Sequence, residues 1–236
     1  MGINMDNKEI DIIGDEIAVT TRNMLLNLAP GVGPMVREVI ECRERIIQKR
    51  INYFVLGFEA FLKSVDPACI DKEYIKCEDY NDLFYSILQR VITTKSEDKI
   101  KRFQKILINE AVCPYTSDFK ETFLDLALRI NEDQIRVLSY YRNLRKELKE
   151  TNQGEQSPEV LEKIRSAWAA TCLGLDYALL KFYNQDLISK SLLSDDGMGR
   201  LSTGAYEIVE ISAFGLEFLE FIEGSSEMKT HLPTLT

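Results

Sequence analysis

The side chains best suited to acid–base or nucleophilic chemistry are few and dispersed in this sequence. The chain of 236 residues holds a single histidine, His231, in a Thr-His-Leu-Pro segment near its end. A Cys–His or Ser–His–Asp nucleophile needs an imidazole that is buried and oriented beside it. A histidine in a polar tail is typical of a solvated side chain. The sequence therefore predicts no catalytic residue and a protein that is not an enzyme.

Metal-binding side chains show no ligand spacing. Zinc sites place cysteines in close pairs, and the five cysteines here form no Cys-x-x-Cys pair. They are Cys42, Cys69, Cys77, Cys113 and Cys172. The glutamate runs from Glu38 to Glu44 and from Glu217 to Glu223 lack the Glu-x-x-His motif of di-iron bundles. We therefore expect reduced thiols that act as small apolar side chains, solvated glutamates, and neither a metal nor a cofactor.

One basic cluster is a candidate contact site. Five cations crowd the start of the predicted third helix: Lys95, Lys99, Lys101, Arg102 and Lys105. Clustered Lys and Arg side chains attract phosphates and other anions, so this cluster predicts an anion or partner contact. A second group, from Arg142 to Lys149, lies at the end of the fifth predicted helix. There positive charge complements the negative end of the helix dipole without any ligand.

The composition sets the class of protein. With 45% hydrophobic and 28% charged residues, 12 Gly and 6 Pro, the chain favours helices over a turn-rich β sandwich. No stretch approaches the roughly 20 apolar residues of a membrane-spanning helix. The acidic N-terminal segment lacks the basic and apolar regions of a signal peptide. We expect a cytoplasmic protein without a transmembrane segment.

Apolar spacing predicts a helical bundle over residues 34–150. After a Pro- and Gly-rich breaker at 29–34, apolar residues recur at intervals of three and four up to Pro67 and predict one long helix. Four shorter helices follow. Their predicted starts include a capping box from Thr94 to Glu97, a cap at Asp118, and a further break at Asn131. Helices joined by short capped turns are typical of an antiparallel bundle.

The pattern changes after a polar segment at 151–158, which predicts a domain boundary. A sixth stripe of apolar residues at helical spacing follows. The sequence leaves open whether Gly174 divides it. Its apolar residues are Val160, Ile164, Trp168, Cys172, Leu175, Leu179 and Phe182. A turn cluster from Asp195 to Gly199 and a β-compatible run at 205–211 come next, and Ser212 is placed to cap a last helix.

These patterns predict a mainly α fold, a helical bundle with a small C-terminal α+β appendage. The predicted divisions are an N-terminal segment at 1–33, the bundle at 34–150, the α+β domain at 157–223 and a flexible tail at 224–236.

The appendage resembles the end of a winged-helix module. Residues 187–190, the Asp-Gly turn and residues 207–219 carry the resemblance, because such modules often run a strand into a Thr/Ser-x-Phe-Gly-x-x-Phe helix start. A small hairpin packed on the bundle is the alternative. From residue 156 onward, twelve acidic and six basic residues contribute about -6 of the net charge of -9. Duplex DNA binding depends on Lys and Arg at phosphates, so a winged helix here is predicted to bind protein and not nucleic acid.

The segment from Pro30 to Leu144 resembles the Abi-alpha-type helical proteins of bacteria. The resemblance is carried by the Pro-Gly-x-Gly-Pro break and by a long helix with Arg43, Arg45 and Arg50. It continues in Ser96-Glu-Asp-Lys-Ile-Lys-Arg-Phe and in Phe123-Leu-Asp-Leu-Ala-Leu-Arg-Ile, followed by Asn131-Glu-Asp-Gln-Ile-Arg-Val-Leu. The small-residue run expected before the Phe123 helix is absent. The resemblance implies a setting in abortive infection and phage defence, not a reaction.

These expectations combine in a non-enzymatic bacterial protein that acts through protein–protein contacts, with a separate partner or with a second copy of the chain. Three alternatives stay open. One is a winged-helix regulator that acts on DNA, and another is an enzyme with an undetected site. The third is a membrane-active effector in which Met24 to Val36 inserts.

Overall fold

A computed structural model describes residues 33–150, 165–195 and 206–224. Within these ranges the chain is mainly helical, with one small antiparallel sheet, which confirms the predicted fold class. Contacts divide the chain into two units, residues 1–55 and residues 56–236. Most of the predicted N-terminal segment, the boundary segment at 151–158, His231 and nearly all of the predicted tail lie outside the described residues.

The long first helix confirms the prediction made from the breaker and Pro67. Helix α1 spans Gly33–Ser64. A short 3-10 turn at Tyr74–Lys76 leads into four further helices. These are α2 (Glu78–Thr93), α3 (Glu97–Val112), α4 (Lys120–Arg129) and α5 (Glu132–Glu150).

Two predicted N-cap residues are wrong, although both helices begin close to the predicted positions. Thr94 ends α2, and the N-cap of α3 is Ser96, whose Oγ accepts the Lys99 N–H at 3.3 Å. The Thr94 backbone is extended, so its hydroxyl reaches only the Ser96 N–H. Helix α4 follows Phe119 and has no side-chain cap, so Asp118 does not cap it.

The break at Asn131 is confirmed, and its capping is reciprocal. The Gln134 N–H donates to Asn131 Oδ1 at 2.8 Å, and the Asn131 N–H donates to Gln134 Oε1 at 2.9 Å. Each side chain satisfies a backbone donor that the helix leaves unpaired. This pair caps the start of α5, directly after α4 ends at Arg129.

Five elements follow residue 164. They are α6 (Ser166–Leu173), α7 (Tyr177–Ser189), β1 (Leu193–Asp195), β2 (Val209–Ile211) and α8 (Ala213–Glu223). Strands β1 and β2 are antiparallel, and Arg165 forms an antiparallel bridge with Ile208. The sheet has two strands, and the Arg165–Ile208 bridge lies directly before β2. Residues 187–189, assigned to the winged-helix resemblance, belong to the end of α7.

The winged-helix resemblance of this region stays a prediction. Ser212 caps α8 as predicted, because its Oγ accepts the Gly215 N–H at 2.8 Å.

Helix α8 packs against α3, α4 and α5. Phe123 of α4 lies at the centre of this contact, with its ring centroid 5.0 Å from that of Phe214 and 5.5 Å from that of Phe221. On the other side of α3, Phe61 and Val65 of α1 pack against Ile108. The predicted boundaries at 150 and 157 stay a prediction, while α8 packs directly against the bundle.

Candidate interaction surface

The predicted sixth stripe is two helices, divided at Gly174. Gly174 has a φ of 64°, the left-handed conformation that glycine adopts without strain, and it forms the C-cap of α6. Asp176 then caps α7, with Oδ1 accepting the N–H groups of Ala178 at 2.9 Å and Leu179 at 3.2 Å. Because the chain turns between the two helices, apolar residues after Gly174 do not continue the buried face of α6.

This turn reverses the expected burial of the stripe. The inward face of α7 is formed by Leu180, Tyr183, Asn184 and Leu187. Leu179 and Phe182 lie on the other side, 39% and 61% exposed. On α6, Trp168 is 42% exposed and Cys172 is also exposed. A single buried stripe through these four residues is therefore wrong.

Large apolar side chains are exposed on both α6 and α7. We give the name aromatic face to Trp168, Leu179 and Phe182. Tyr177 is also exposed, but it lies two residues from Leu179 and therefore on a different side of α7. The two helices pack against each other. Leu179 and Phe182 are three residues apart on α7, so their side chains are neighbours on the helix surface. Single exposed apolar residues are ordinary, whereas a group of them marks a binding site or an interface.

A buried polar network fixes the orientation of α7. Asn184 Nδ2 donates to Ser166 Oγ at 3.0 Å and to Tyr141 Oη at 3.2 Å. Ser166 Oγ donates to the Tyr206 carbonyl oxygen at 2.6 Å. Burial raises the pKa of Tyr141. The network joins α5, α6 and α7 to the base of the β1–β2 connection, so the outward position of Phe182 is set by the core.

Helix α6 is held from α5 in two places. Arg136 Nη2 donates to the Leu173 carbonyl oxygen at 3.1 Å, at the end of α6. Tyr140 lies against Cys172; burial raises the pKa of Tyr140, and the Cys172 thiol adds to the shift. Tyr140 and Tyr141 are adjacent on α5. Tyr141 is buried and Tyr140 is half-buried, so both contribute mainly to the packing of α5.

Charge is balanced around the aromatic face. Residues 165–195 contain three basic and three acidic side chains: Arg165, Lys181 and Lys190 with Asp176, Asp186 and Asp195. Residues 206–224 contain five glutamates and no Lys or Arg. The acidity of the C-terminal part is therefore concentrated at β2 and α8 and not on the α6–α7 hairpin.

The predicted basic cluster is divided by burial. The Arg102 side chain is 6% exposed and donates to Glu132 and to the carbonyl oxygens of Ala127 and Ile130. Lys99 Nζ donates to the Leu128 carbonyl oxygen. Burial lowers the pKa of both cations. These two side chains donate to backbone carbonyl groups at the end of α4. The local sequence around Lys99 and Arg102 does not indicate these contacts.

The other members of the cluster are nearer to solvent. Lys95 and Lys101 are exposed, and Lys105 is half-buried. The anion or partner contact of the cluster therefore stays a prediction. A small cleft of about 280 Å³ lies beside it, between the starts of α3 and α5. Its lining includes Lys99 and three carboxylates, Asp98, Glu132 and Asp133.

The basic residues near the end of α5 have specific partners. Arg142 Nη1 lies 2.7 Å from Glu223 Oε2 of α8, and Arg145 Nη1 donates to the Ile211 carbonyl oxygen at 3.1 Å. These two contacts join α5 to α8 and β2, which the helix-dipole interpretation of the basic group did not predict. Glu217 and Glu220 are exposed.

In the part of the chain that the structure describes, no three His, Cys, Asp or Glu side chains are grouped to hold a metal ion. The helices of the same ranges include none that is long and apolar enough to cross a membrane. Residues 24–32 of the predicted inserting segment lie outside these ranges. No protein-family model, no curated protein and no solved structure matches this chain.

Proposed function

We propose that this chain is a non-enzymatic protein that acts through protein–protein contacts made by the aromatic face. The observation that carries the proposal is the joint exposure of Trp168, Leu179 and Phe182 on α6 and α7. Aromatic residues are enriched at the centres of protein interfaces. The rigid support of α7 by Asn184 favours a preformed binding surface.

The resemblance of residues 187–190 and 207–219 to a winged-helix module also raises DNA binding, and α7 would then correspond to the recognition helix. Such a helix presents polar and basic side chains to phosphates and base edges. Helix α7 instead presents Leu179 and Phe182, and β2 and α8 carry only acidic charged side chains. Phosphates would be repelled there, so protein contact is the better supported function.

A salt titration against random duplex DNA separates these two functions. We expect no binding whose affinity falls steeply with salt. Binding at micromolar concentration with a steep salt slope would show phosphate contacts and would contradict the proposal.

Crosslinking inside the native host tests the protein contact itself. A photoreactive phenylalanine analogue at position 182 is expected to form adducts with protein. The matched control is the same analogue at Tyr85, which is 54% exposed on α2. Equal adducts from both positions, or none from position 182, would count against the aromatic face.

Phage defence enters the proposal through the resemblance of residues 30–144 to Abi-alpha-type proteins. Plaque formation should be compared in cells that lack the gene, express the wild-type chain or express Phe182→Asp. We expect the wild-type chain to reduce plaque formation and Phe182→Asp to lose that protection. No protection by the wild-type chain would refute this setting, while crosslinking tests the contact separately.

A further inference from the structure

We infer that residues 6–28 form a helix that packs antiparallel on the exposed side of α1, so that the chain covers this surface with its own N-terminal segment. Residues 1–32 lie outside the described residues, and α1 begins at Gly33 directly after them. The exposure of α1, the charge of the two segments and the spacing of their residues support this contact. It involves no residue of the aromatic face, so it is independent of the proposed function.

The first half of α1 presents an open surface. None of the residues 41–50 is buried, and eight of these ten are exposed. Ile46 is 44% exposed, and Ile47 beside it is half-buried. Arg43 is exposed and lies three residues before Ile46 and four before Ile47, so the three side chains share one side of the helix. A side that is both apolar and basic fits a helix that is both apolar and acidic.

The N-terminal segment has the complementary charge. Residues 1–32 contain five acidic and two basic residues, a net charge of -3, whereas α1 contains six basic and four acidic residues, a net charge of +2. Residues 1–55 also form one of the two units into which contacts divide the chain. Because the segment is joined directly to α1, its effective concentration there is on the order of millimolar, which favours it over a separate partner.

Acidic and apolar residues of the segment recur at helical spacing. Glu9 and Glu16 are seven residues apart, and Ile13 lies between them at intervals of four and three. In a helix these three side chains share one side, with the glutamates about two turns apart. On α1, Arg43 and Arg50 are also seven residues apart. An antiparallel helix can therefore place both glutamates beside both arginines in a single register.

That register puts the turn where the sequence favours one. Each Glu–Arg pair is centred between residues 29 and 30, inside the Pro- and Gly-rich breaker at 29–34. Short loops of this kind join antiparallel helices. The same register sets Ile13 opposite Ile46 and Ile17 opposite Cys42, so apolar side chains of the segment cover the exposed part of α1.

Disulfide trapping in the purified full chain tests the contact. Cys42 is a native, exposed cysteine, so Ile17→Cys supplies a partner for it with one substitution. After oxidation at low protein concentration, mass spectrometry of the digested chain should find Cys42 joined to position 17 within one chain. Val19→Cys is the matched control, because it lies about 200° further round a helix than Ile17. We expect the control to form at least about five times less of the disulfide to Cys42.

Charge reversal in the Ile17→Cys background tests the register. Arg43→Glu should lower the yield of the disulfide about twofold, and addition of Glu16→Arg should restore it. Arg45→Glu makes the same charge change, but Arg45 lies about 200° round α1 from Arg43, so the yield should stay at its original value. Circular dichroism of each reduced variant establishes that it is folded.

Equal disulfide yields from Ile17→Cys and Val19→Cys, or no disulfide to Cys42 from either, would overturn the inference. So would a disulfide that joins Cys42 to position 17 of a second chain, seen as a dimer on a non-reducing gel, because the occupant would then be another copy. Equal losses from Arg43→Glu and Arg45→Glu would contradict the register. None of these outcomes bears on the aromatic face, which the crosslinking at position 182 tests separately.

Discussion

Asn184 and Ser166 are joined by a hydrogen bond of 3.0 Å between Nδ2 and Oγ, and both side chains are fully buried. The bond connects the middle of α7 to the start of α6. Successive residues of a helix are about 100° apart around its axis, so Phe182, two positions before Asn184, lies on the opposite side. The buried amide thereby determines which α7 side chains reach solvent.

Replacement of Asn184 by alanine should destabilise the chain by about 1–3 kcal/mol. The substitution removes two hydrogen bonds and leaves a cavity beside Ser166 and Tyr141. Urea unfolding, followed by far-ultraviolet circular dichroism, gives the free energy of unfolding. Gln185→Ala is the control, because Gln185 is exposed on the same helix and should change it by about 0.5 kcal/mol or less. Equal losses in the two variants would contradict the role of the network.

Gly215 of α8 lies against the chain that leaves α7. A Cβ at this position would be 2.1 Å from the Leu192 carbonyl oxygen, which also accepts the Ser212 N–H at 3.2 Å. Because the obstacle is backbone, Gly215→Ala must displace the start of β1. We expect a loss of about 1–3 kcal/mol in the free energy of unfolding.

Gly57→Ala is the matched comparison for Gly215→Ala. Its Cβ would be 2.3 Å from Gln104 Nε2, the end of a side chain that can shift. Alanine also favours helix over glycine by up to about 1 kcal/mol, so the net loss should be smaller. A loss for Gly57→Ala as large as that for Gly215→Ala would contradict the distinction between a backbone and a side-chain obstacle.

Arg102→Met should destabilise the chain by about 3 kcal/mol. The guanidinium is buried, and its removal leaves the Ala127 and Ile130 carbonyl groups without this donor and Glu132 without its partner. Lys101→Met removes a neighbouring exposed cation and should have an effect of about 0.5 kcal/mol or less. Thermal unfolding of the two variants should differ accordingly; similar melting temperatures would place Arg102 in solvent.

Stability should fall in alkali through buried tyrosines. Burial raises the pKa of Tyr80 above its ordinary value of 10, with Tyr74 and Glu110 adding to the shift. Above about pH 10 the unfolded chain ionises this phenol and the folded chain does not. The folded state then binds more protons, so the free energy of unfolding decreases as the pH rises.

Tyr80→Phe should reduce the steepness of this alkaline loss, although it also removes the hydrogen bond to the Leu107 carbonyl oxygen. Tyr85→Phe, at an exposed position, should keep the wild-type slope. Urea midpoints between about pH 9 and 11 measure the slopes. Identical slopes for Tyr80→Phe and the wild-type chain would exclude this contribution.

The sequence predicted features that depend on neighbouring residues. The break at Asn131 was predictable because its N-cap and the capping Gln134 lie within one turn. The cap at Ser212 was predictable for the same reason. Helical periodicity likewise predicted the long α1 and the mainly α fold class.

Features that depend on distant partners or on the phase of a helix were not predictable. Gly174 permits a left-handed residue but does not require one, so the sequence left open whether one stripe or two helices followed. The turn at Gly174 gives α6 and α7 separate buried faces, so Phe182 does not continue the buried face of α6. Arg102 is buried because carbonyl groups more than 20 residues away accept its protons, and charge clustering alone favours a solvated side chain.

Trp168 is the only tryptophan of the chain and lies on the aromatic face, so its fluorescence reports on that face alone. The most direct test of the aromatic face is acrylamide quenching of Trp168 in the folded chain and in the chain unfolded by urea. Because Trp168 is 42% exposed, we expect ready quenching in the folded chain, with a quenching constant that is a large fraction of the one in urea. Almost no quenching in the folded chain would place Trp168 in the core and contradict the aromatic face as a contact surface.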